Sequence, residues 1–340
     1  MKLTDFQEAF PDDAACMRFL EETVWANGRH CPDCGCLNTV PLAGKAAARH
    51  LYHCRDCHKQ FTVTSGTWLH SRKLPLTKYF EILYYSVNSS FGMASTRIAE
   101  WTGVSQKSVW KILQAFRELQ GFWLTMADKL ANTVEFDTKY VGGKPRKAKG
   151  ETGQKVKNKR GRGTDKQPVF VAAERQGEVR ATVVPDESEA TIRPLAEAQV
   201  DPQAHIMSDG DGAFAKIARS FALHSQCSHR DWDFARDGVH NNTAESFNSW
   251  VEHMRDVHFF VSKPHLQRYV NDVMSRWNLR VAVEREVTHR GQRVVRVFME
   301  KMPLLDRLRT IFVHAVGCQV RRDRITGGIA VASCRSCPSY

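Results

Sequence analysis

The chain has 340 residues, of which 42% are hydrophobic and 10% aromatic, enough for two or three domains with a sizeable core. No apolar run approaches the roughly 18 residues of a membrane span. The start, Met1-Lys2-Leu3-Thr4-Asp5, has no apolar signal core, so a cytoplasmic protein is expected. The net charge of +12 is concentrated, because residues 144–162 carry nine Lys or Arg against one Glu. Such a block is a phosphate-binding loop or a merely solvated one.

Ten cysteines in a cytoplasmic chain do not suggest a disulfide framework. Cys31-Pro32-Asp33-Cys34-Gly35 and Cys54-Arg55-Asp56-Cys57 instead form two Cys-x-x-Cys knuckles with 19 residues between them. That spacing predicts a closed tetrahedral zinc site with a structural role, its ligands Cys31, Cys34, Cys54 and Cys57. Cys36 is read as an extra thiol outside the site. Arg49, His50, His53, Arg55, His58 and Lys59 lie around the second knuckle and suit a phosphate backbone. Cys334-Arg335-Ser336-Cys337 is a lone knuckle in a Gly-, Arg- and Ser-containing tail and reads as flexible chain.

A helical region follows. Helices are expected over Leu76–Val87, Ser95–Trp101 and Ser105–Phe116, the last capped by Ser105. Ala99, Gly103 and Val109 fit a helix-turn-helix, in which a small residue lets helices cross, a glycine turns and a valine fills the corner. Gln106, Lys107, Ser108 and Lys111 then project from a recognition helix toward a DNA major groove.

From Thr133 the pattern changes to strands with intervening helices. Val134–Phe136 and Tyr140-Val141 read as two strands turned near Thr138 and Lys139. Val169–Ala172 and Val179–Val184 read as a hairpin around Gln176-Gly177. A helix over Ser188–Gln199 contains Pro194, then come a strand over Ala204–Ser208 and helices over Asp211–Phe221, Asn242–Met254 and Pro264–Asn278. Asp137 and Asp209 follow apolar strand-like runs, and Glu245 opens a helix. Three carboxylates so placed suit two Mg²⁺ ions roughly 4 Å apart, which activate a nucleophile and stabilise a leaving 3′ oxygen. Glu135 shares a strand face with Asp137 and is expected to make a surface or loop contact.

In this order, the knuckles, Phe61-Thr62-Val63-Thr64-Ser65-Gly66-Thr67, Phe136-Asp137 with Tyr140-Val141-Gly142-Gly143-Lys144, Ser208-Asp209 and His240-Asn241-Asn242-Thr243-Ala244-Glu245-Ser246-Phe247 resemble bacterial insertion-sequence transposases of the DDE superfamily with an N-terminal zinc ribbon (ISXO-type). The resemblance runs from about residue 15 to about residue 280. It implies a ribonuclease-H-like α/β catalytic domain with Asp137, Asp209 and Glu245 as catalytic metal ligands. Asn242 stands as the alternative third ligand, and His240 either orients metal or substrate or is a surface histidine. Two positions depart from the family pattern. Thr138 stands where relatives often carry an acid, and His253 or Arg255 stands where they carry a basic residue after the glutamate.

The expected organisation is a zinc-ribbon region over 1–70, a helix-turn-helix region over 71–130, the catalytic domain over 131–285 and a basic extension over 286–340. The expected activity is metal-dependent DNA cleavage at the element's terminal repeats and strand transfer to target DNA, by a homo-oligomer holding two ends. Rival readings are a DNA-binding regulator derived from such an enzyme and a ribonuclease-H-like nuclease. DNA contacts are expected from Gln106, Lys107 and Lys111 and from Lys155, Lys157, Lys159 and Arg160.

Overall fold

A computed structural model describes residues 1–143, 164, 166–209, 212–227, 240–289, 292–314, 318–322 and 329–333. The chain forms two compact units, one of residues 1–126 with 301–340, the other of residues 127–300. Among the described residues no helix is long and apolar enough to cross a membrane.

The first unit opens with helices α1 (Leu3–Ala9) and α2 (Asp13–Val24). Asp12 caps α2 by accepting from the Ala15 amide at 2.7 Å. A three-stranded antiparallel sheet follows, β1 (Thr39–Pro41), β2 (Tyr52–Cys54) and β3 (Gln60–Phe61), in the order β1-β2-β3. So small a sheet buries little. Cys31, Cys54 and Phe61 form its core, with Trp25 and Tyr52 packed on them.

Helices α3 (Leu76–Asn88), α4 (Ser95–Thr102) and α5 (Gln106–Met126) come next. The first two match the expected helices to within a residue, and the third runs beyond Phe116. Gly103 takes φ +67° between α4 and α5, a left-handed conformation that costs other residues. Ile98, Val104 and Val109 are buried together in the corner it creates, with Ile82 and Leu113, and Ala99 packs against them.

The unit is completed from the far end of the chain. Helix α10 (Leu304–His314) packs on α2, α3 and α5. Phe312 stacks on Phe80 with ring centroids 5.5 Å apart, and Phe10 meets Phe19 and Phe80 at 5.2 and 4.8 Å. The buried Arg307 donates to the Val87 carbonyl, satisfying the end of α3. The hairpin β11 (Cys318–Arg322) and β12 (Ile329–Ser333) lies against α5. The extension expected over 286–340 is therefore divided. Its first part is in a ribbon of the second unit, and its last part builds the first unit's core. Cys334 and Cys337 lie outside the described residues.

The second unit is built on a five-stranded sheet of β4 (Thr133–Val141), β5 (Gln167–Glu174), β6 (Val179–Val183), β7 (His205–Asp209) and β8 (Leu223–Cys227). The spatial order is β6-β5-β4-β7-β8. Strands β4, β5 and β6 pair antiparallel, while β7 and β8 run parallel to β4. This mixed sheet, with helices on both faces, is ribonuclease-H-like. One face, formed by Val134, Phe136, Phe170, Ala172 and Ile206, buries α6 (Glu189–Gln199) and α7 (Gly212–Ile217) through Ile192, Ala196, Phe214 and Ile217. The other carries α8 (Asn242–His258) against β4 and β5, and α9 (Leu266–Asn278) against β6.

Helix α9 also covers the sheet edge. Gln267 accepts from the Val183 amide at 2.7 Å and donates to the Ala181 carbonyl at 3.2 Å. Asn278 does the same for Val179, at 2.9 and 3.1 Å. Two side-chain amides thus stand in for a neighbouring strand and blunt an edge that would otherwise template pairing.

Two expectations need correction. Residues 133–141 form one strand, not two with a turn at Thr138 and Lys139, because β5 pairs with it without a break from Val134↔Glu174 to Val141↔Gln167. Strand β8 was not foreseen. The compact unit runs past residue 285, which lies inside β9 (Arg280–His289), paired with β10 (Gln292–Lys301). The basic segment 144–162, with Lys155, Lys157, Lys159 and Arg160, falls outside the described residues, as does Asp211.

Candidate active site and metal centre

Strand alternation turns Glu135, Asp137 and Lys139 to one face of β4, and each meets α8. Glu135 is fully buried and accepts from the Thr243 and Ala244 amides at 2.7 and 3.0 Å. These are orphan donors of the α8 N-terminus, so the carboxylate caps that helix from another element. Asp137 accepts from Asn248 Nδ2 at 2.6 Å. Lys139 pairs with Glu252 at 2.6 Å. The partners advance by four residues along the helix for every two along the strand. That is about 6 Å of helix against about 6.6 Å of strand, so the two run in step.

Glu135 is thus not the surface or loop contact expected. Arg175 on its other side donates to it at 2.7 Å, and His240 Nδ1 lies 3.3 Å away. Arg175 also donates to the His240 carbonyl at 2.9 Å. His240 belongs to this buried anchor, and Asn241, also buried, donates to the Phe136 carbonyl at 3.3 Å.

The anchor sets the start of α8 and so the place of Glu245. The last parallel pair of β4 and β7 is Phe136↔Ser208, so Asp137 and Asp209 follow it on neighbouring strands. Burial pushes the Asp137 carboxyl up to about 6, and the charges of Asp209 and Glu245 push the same way against the Thr138 amide. Asp209 and Glu245 therefore lie close enough to Asp137 for their charges to act on it. Asn242 is exposed on the first turn of α8, its amide 3.4 Å from His240 Nδ1. Asn248 Oδ1, on the helix that faces Asp137, is buried with no protein hydrogen-bond partner; Thr138 Oγ1 is likewise unpartnered but alternates to the other face of β4. Crowded carboxylates and an unpaired oxygen suit divalent cations. Asn248 escaped sequence reading, although its position one turn beyond Glu245 on the same helical face was a usable signal. The alternative basic residue His253 faces Asp256 at 3.4 Å.

The four predicted cysteines also converge, with one sulfur from each within 4.8 Å of all the others. Cys31 and Cys57 sulfurs are 3.6 Å apart, and those of Cys34 and Cys54 3.5 Å. Tetrahedral zinc with Zn–S near 2.3 Å sets sulfurs about 3.8 Å apart, so the cluster fits the ion. The residue after each knuckle is left-handed, Gly35 at φ +76° and His58 at φ +59°. The Gly35 amide returns to the Cys31 carbonyl at 2.8 Å, and the Cys57 amide donates to the Cys54 sulfur at 3.4 Å. Cys36 places a fifth sulfur 3.1 Å from that of Cys54.

Gln106, Lys107 and Lys111 are all exposed on the first turns of α5. Gln106 donates to Ser95 at 3.0 Å, linking the starts of α5 and α4.

Residues 129–278 match the model of the ISXO2-like transposase domain, and residues 11–60 that of the transposase zinc-ribbon domain. An uncharacterized protein in transposable element ISH50 of Halobacterium salinarum is 29% identical over 273 residues, covering 77% of this chain and 90% of the relative. Among solved structures, the Mos1 strand transfer complex is similar at a TM-score of 0.26 and 13% identity, over 61% of this chain and 72% of that one. The simian T-cell lymphotropic virus intasome in complex with PP2A regulatory subunit B56 gamma is similar at 0.27 and 11% identity, over 58% of this chain and 64% of that one.

The Glu135 anchor makes a stability prediction. Glu135→Ala should destabilise the second unit by about 3–5 kcal/mol, because it leaves Arg175 and the α8 amides without their acceptor. Glu252→Ala, which breaks a largely exposed pair, should cost under about 1 kcal/mol. Urea unfolding of both variants measures this, and equal midpoints would contradict the anchoring role.

Proposed function

The chain belongs to the DDE-type insertion-sequence transposases with an N-terminal zinc ribbon, and we propose that Asp137, Asp209 and Glu245 are the carboxylates of its DNA-cleaving and strand-transferring centre. The observation that supports this is that Asp137 in β4, Asp209 at the end of the neighbouring β7 and Glu245 on the first turns of α8 converge, with the charges of Asp209 and Glu245 acting on the half-buried Asp137. Two Mg²⁺ ions bound there would activate an attacking oxygen and stabilise the leaving one. Asp137 offers the ions its carboxylate while Asn248 fixes its orientation. Asp209 supplies a second carboxylate from a rigid strand end. Glu245 reaches in from a helix whose start is fixed by Glu135. No covalent protein–DNA intermediate is required, so positioning and electrostatics supply the catalysis.

Substrates in this reading are the terminal repeats of the element and a target duplex, held by at least two copies of the chain so that two ends are joined together. Exposed Gln106, Lys107 and Lys111 read base edges at the ends, and the basic segment with Lys155, Lys157, Lys159 and Arg160 holds phosphates. Zinc bound by Cys31, Cys34, Cys54 and Cys57 fixes the ribbon.

Asp137→Asn, Asp209→Asn and Glu245→Gln should each lower cleavage and joining by at least about 10³-fold while end binding persists, since each removes a charge that stabilises the transition state. Asn242→Ala should retain activity. End-labelled donor and supercoiled target DNA report cleaved and joined products separately. Cleavage without joining would indicate a nuclease, binding without either a regulator. An active Glu245→Gln beside an inactive Asn242→Ala would reassign the third ligand.

One tightly held zinc per chain is expected in purified protein, coupled to folding of the ribbon. The double variant Cys54→Ser, Cys57→Ser should lose it. Metal analysis checks this, and unchanged zinc content would remove the assignment.

Neutralising Lys155, Lys157, Lys159 and Arg160 together should weaken binding equally for cognate and unrelated duplexes and flatten the salt dependence. Changing Gln106 and Lys107 should instead reduce discrimination between them. Binding isotherms at several salt concentrations on both DNAs tell the effects apart, and an unchanged salt slope would make the basic segment a solvated loop.

A further inference from the structure

A cavity of about 340 Å³ lies in the first unit between α2, the turn of 3₁₀-helix at Gly44–Arg49 and the segment after β3. Its polar wall is built from Arg49, His50, Thr62, Thr64 and Arg72, with Asp13 as the one acid. Two of these residues come from Phe61-Thr62-Val63-Thr64-Ser65-Gly66-Thr67, a stretch that neither the zinc site nor the carboxylate site uses.

Asp13 is already engaged. Its Oδ1 accepts from the Thr77 amide at 3.0 Å and the Thr77 hydroxyl at 3.4 Å, and its Oδ2 lies 3.6 Å from Arg72. Burial favours its neutral form, but the Leu76 and Thr77 amides and the Arg72 guanidinium outweigh that and hold its pKa below the usual value. It therefore stays charged and orients Arg72, whose planar fork has five N–H donors. The hydroxyls of Thr62 and Thr64 are 2.9 Å apart and that of Thr62 lies 3.4 Å from the Ser65 hydroxyl, so when Thr62 donates to Thr64 the Thr64 proton can be offered to a ligand. Thr64 is buried, whereas Arg49 is exposed at the rim. Two guanidinium groups and a hydroxyl pair around a cleft recognise a tetrahedral oxyanion. The volume exceeds what an inorganic ion needs and falls in the range of small-ligand pockets.

We infer that this cavity seats a backbone phosphodiester of bound DNA together with its sugar, clamped between Arg49 and Arg72 and bonded by the Thr62–Thr64 hydroxyl pair. The inference rests on the chain being a DNA-acting enzyme and assigns the ribbon a phosphate contact of its own. A contact of this kind positions the duplex and reads no sequence.

The test uses the full-length, zinc-loaded chain and a fluorescent 30-base-pair duplex of arbitrary sequence, titrated at several salt concentrations. Arg49→Ala should lower the slope of log K against log salt by about 0.9, the loss of a single phosphate contact. Arg49→Lys should keep the slope, because the charge at the rim is retained. Thr64→Val should weaken binding several-fold without changing the slope. Zinc content and urea midpoint confirm that each variant is folded. An Arg49→Ala slope equal to wild type overturns the inference. So does an Arg49-dependent rise in urea midpoint with inorganic phosphate or thymidine monophosphate while the duplex isotherms stay unchanged, because the cavity would then take free phosphates. Wild-type protein that binds no duplex would instead remove the DNA-acting reading itself, an outcome distinct from the other two.

Discussion

The seam between β4 and α8 is the constraint on which the second unit depends. A strand and a helix usually meet through apolar side chains, whose contacts tolerate sliding. Here Glu135, Asp137 and Lys139 meet Thr243 with Ala244, Asn248 and Glu252 through directed polar contacts. Slippage by one helical residue would break all three at once. The buried Glu135 makes the penalty largest at one end, because its carboxylate is held by the α8 amides, the Thr243 hydroxyl, Arg175 and His240. Register is therefore fixed to within a residue, and Glu245 inherits that accuracy.

Such accuracy answers an electrostatic difficulty. Three carboxylates placed together repel, and Asp137 is also half-buried, so its pKa rises toward 6. A site of this kind lowers stability wherever it is built. It is tolerable on this sheet because the opposite face carries the apolar core. Val134 and Phe136 alternate with the acids and are fully buried with Phe170, Ile192 and Ile206. One strand thus carries core on one face and chemistry on the other, and period-two alternation keeps them apart.

The same alternation explains what could be read in the sequence. The knuckles, the helix-turn-helix corner and the placing of Asp137 and Asp209 on strands were legible because each depends on local spacing. Strand β4 reads as two in the sequence because Thr138 and Lys139 look like turn residues, whereas they are mid-strand residues opposite Phe170 and Val169, with Lys139 turned toward α8. Strand β8, Leu223-His224-Ser225-Gln226-Cys227, escaped because an edge strand needs few apolar residues, and Leu223 is exposed. Glu135 looked superficial because its buried partners, Arg175 and the start of α8, lie about 40 and 108 positions away. Helix α10 carried a local signal that went unread, since Leu304, Leu308, Ile311 and Phe312 stand at helical spacing and are all buried.

Helix α10 has a consequence for how the molecule forms. The second unit is continuous in sequence and inserted into the first, whose core joins Phe10, Phe19 and Phe80 to Phe312. Contacts over so many residues carry a large loop-closure cost in an unfolded chain. Folding of the inserted unit shortens that loop, since its ends then become fixed points of one body. The zinc knuckles act in the same direction at smaller scale, because an ion bound by Cys31, Cys34, Cys54 and Cys57 closes the 19 residues between them without needing a core. The first unit thus joins a ribbon that a metal can tie to a helical core that needs α10 from beyond the inserted unit, so its completion depends on the chain that carries Asp137, Asp209 and Glu245.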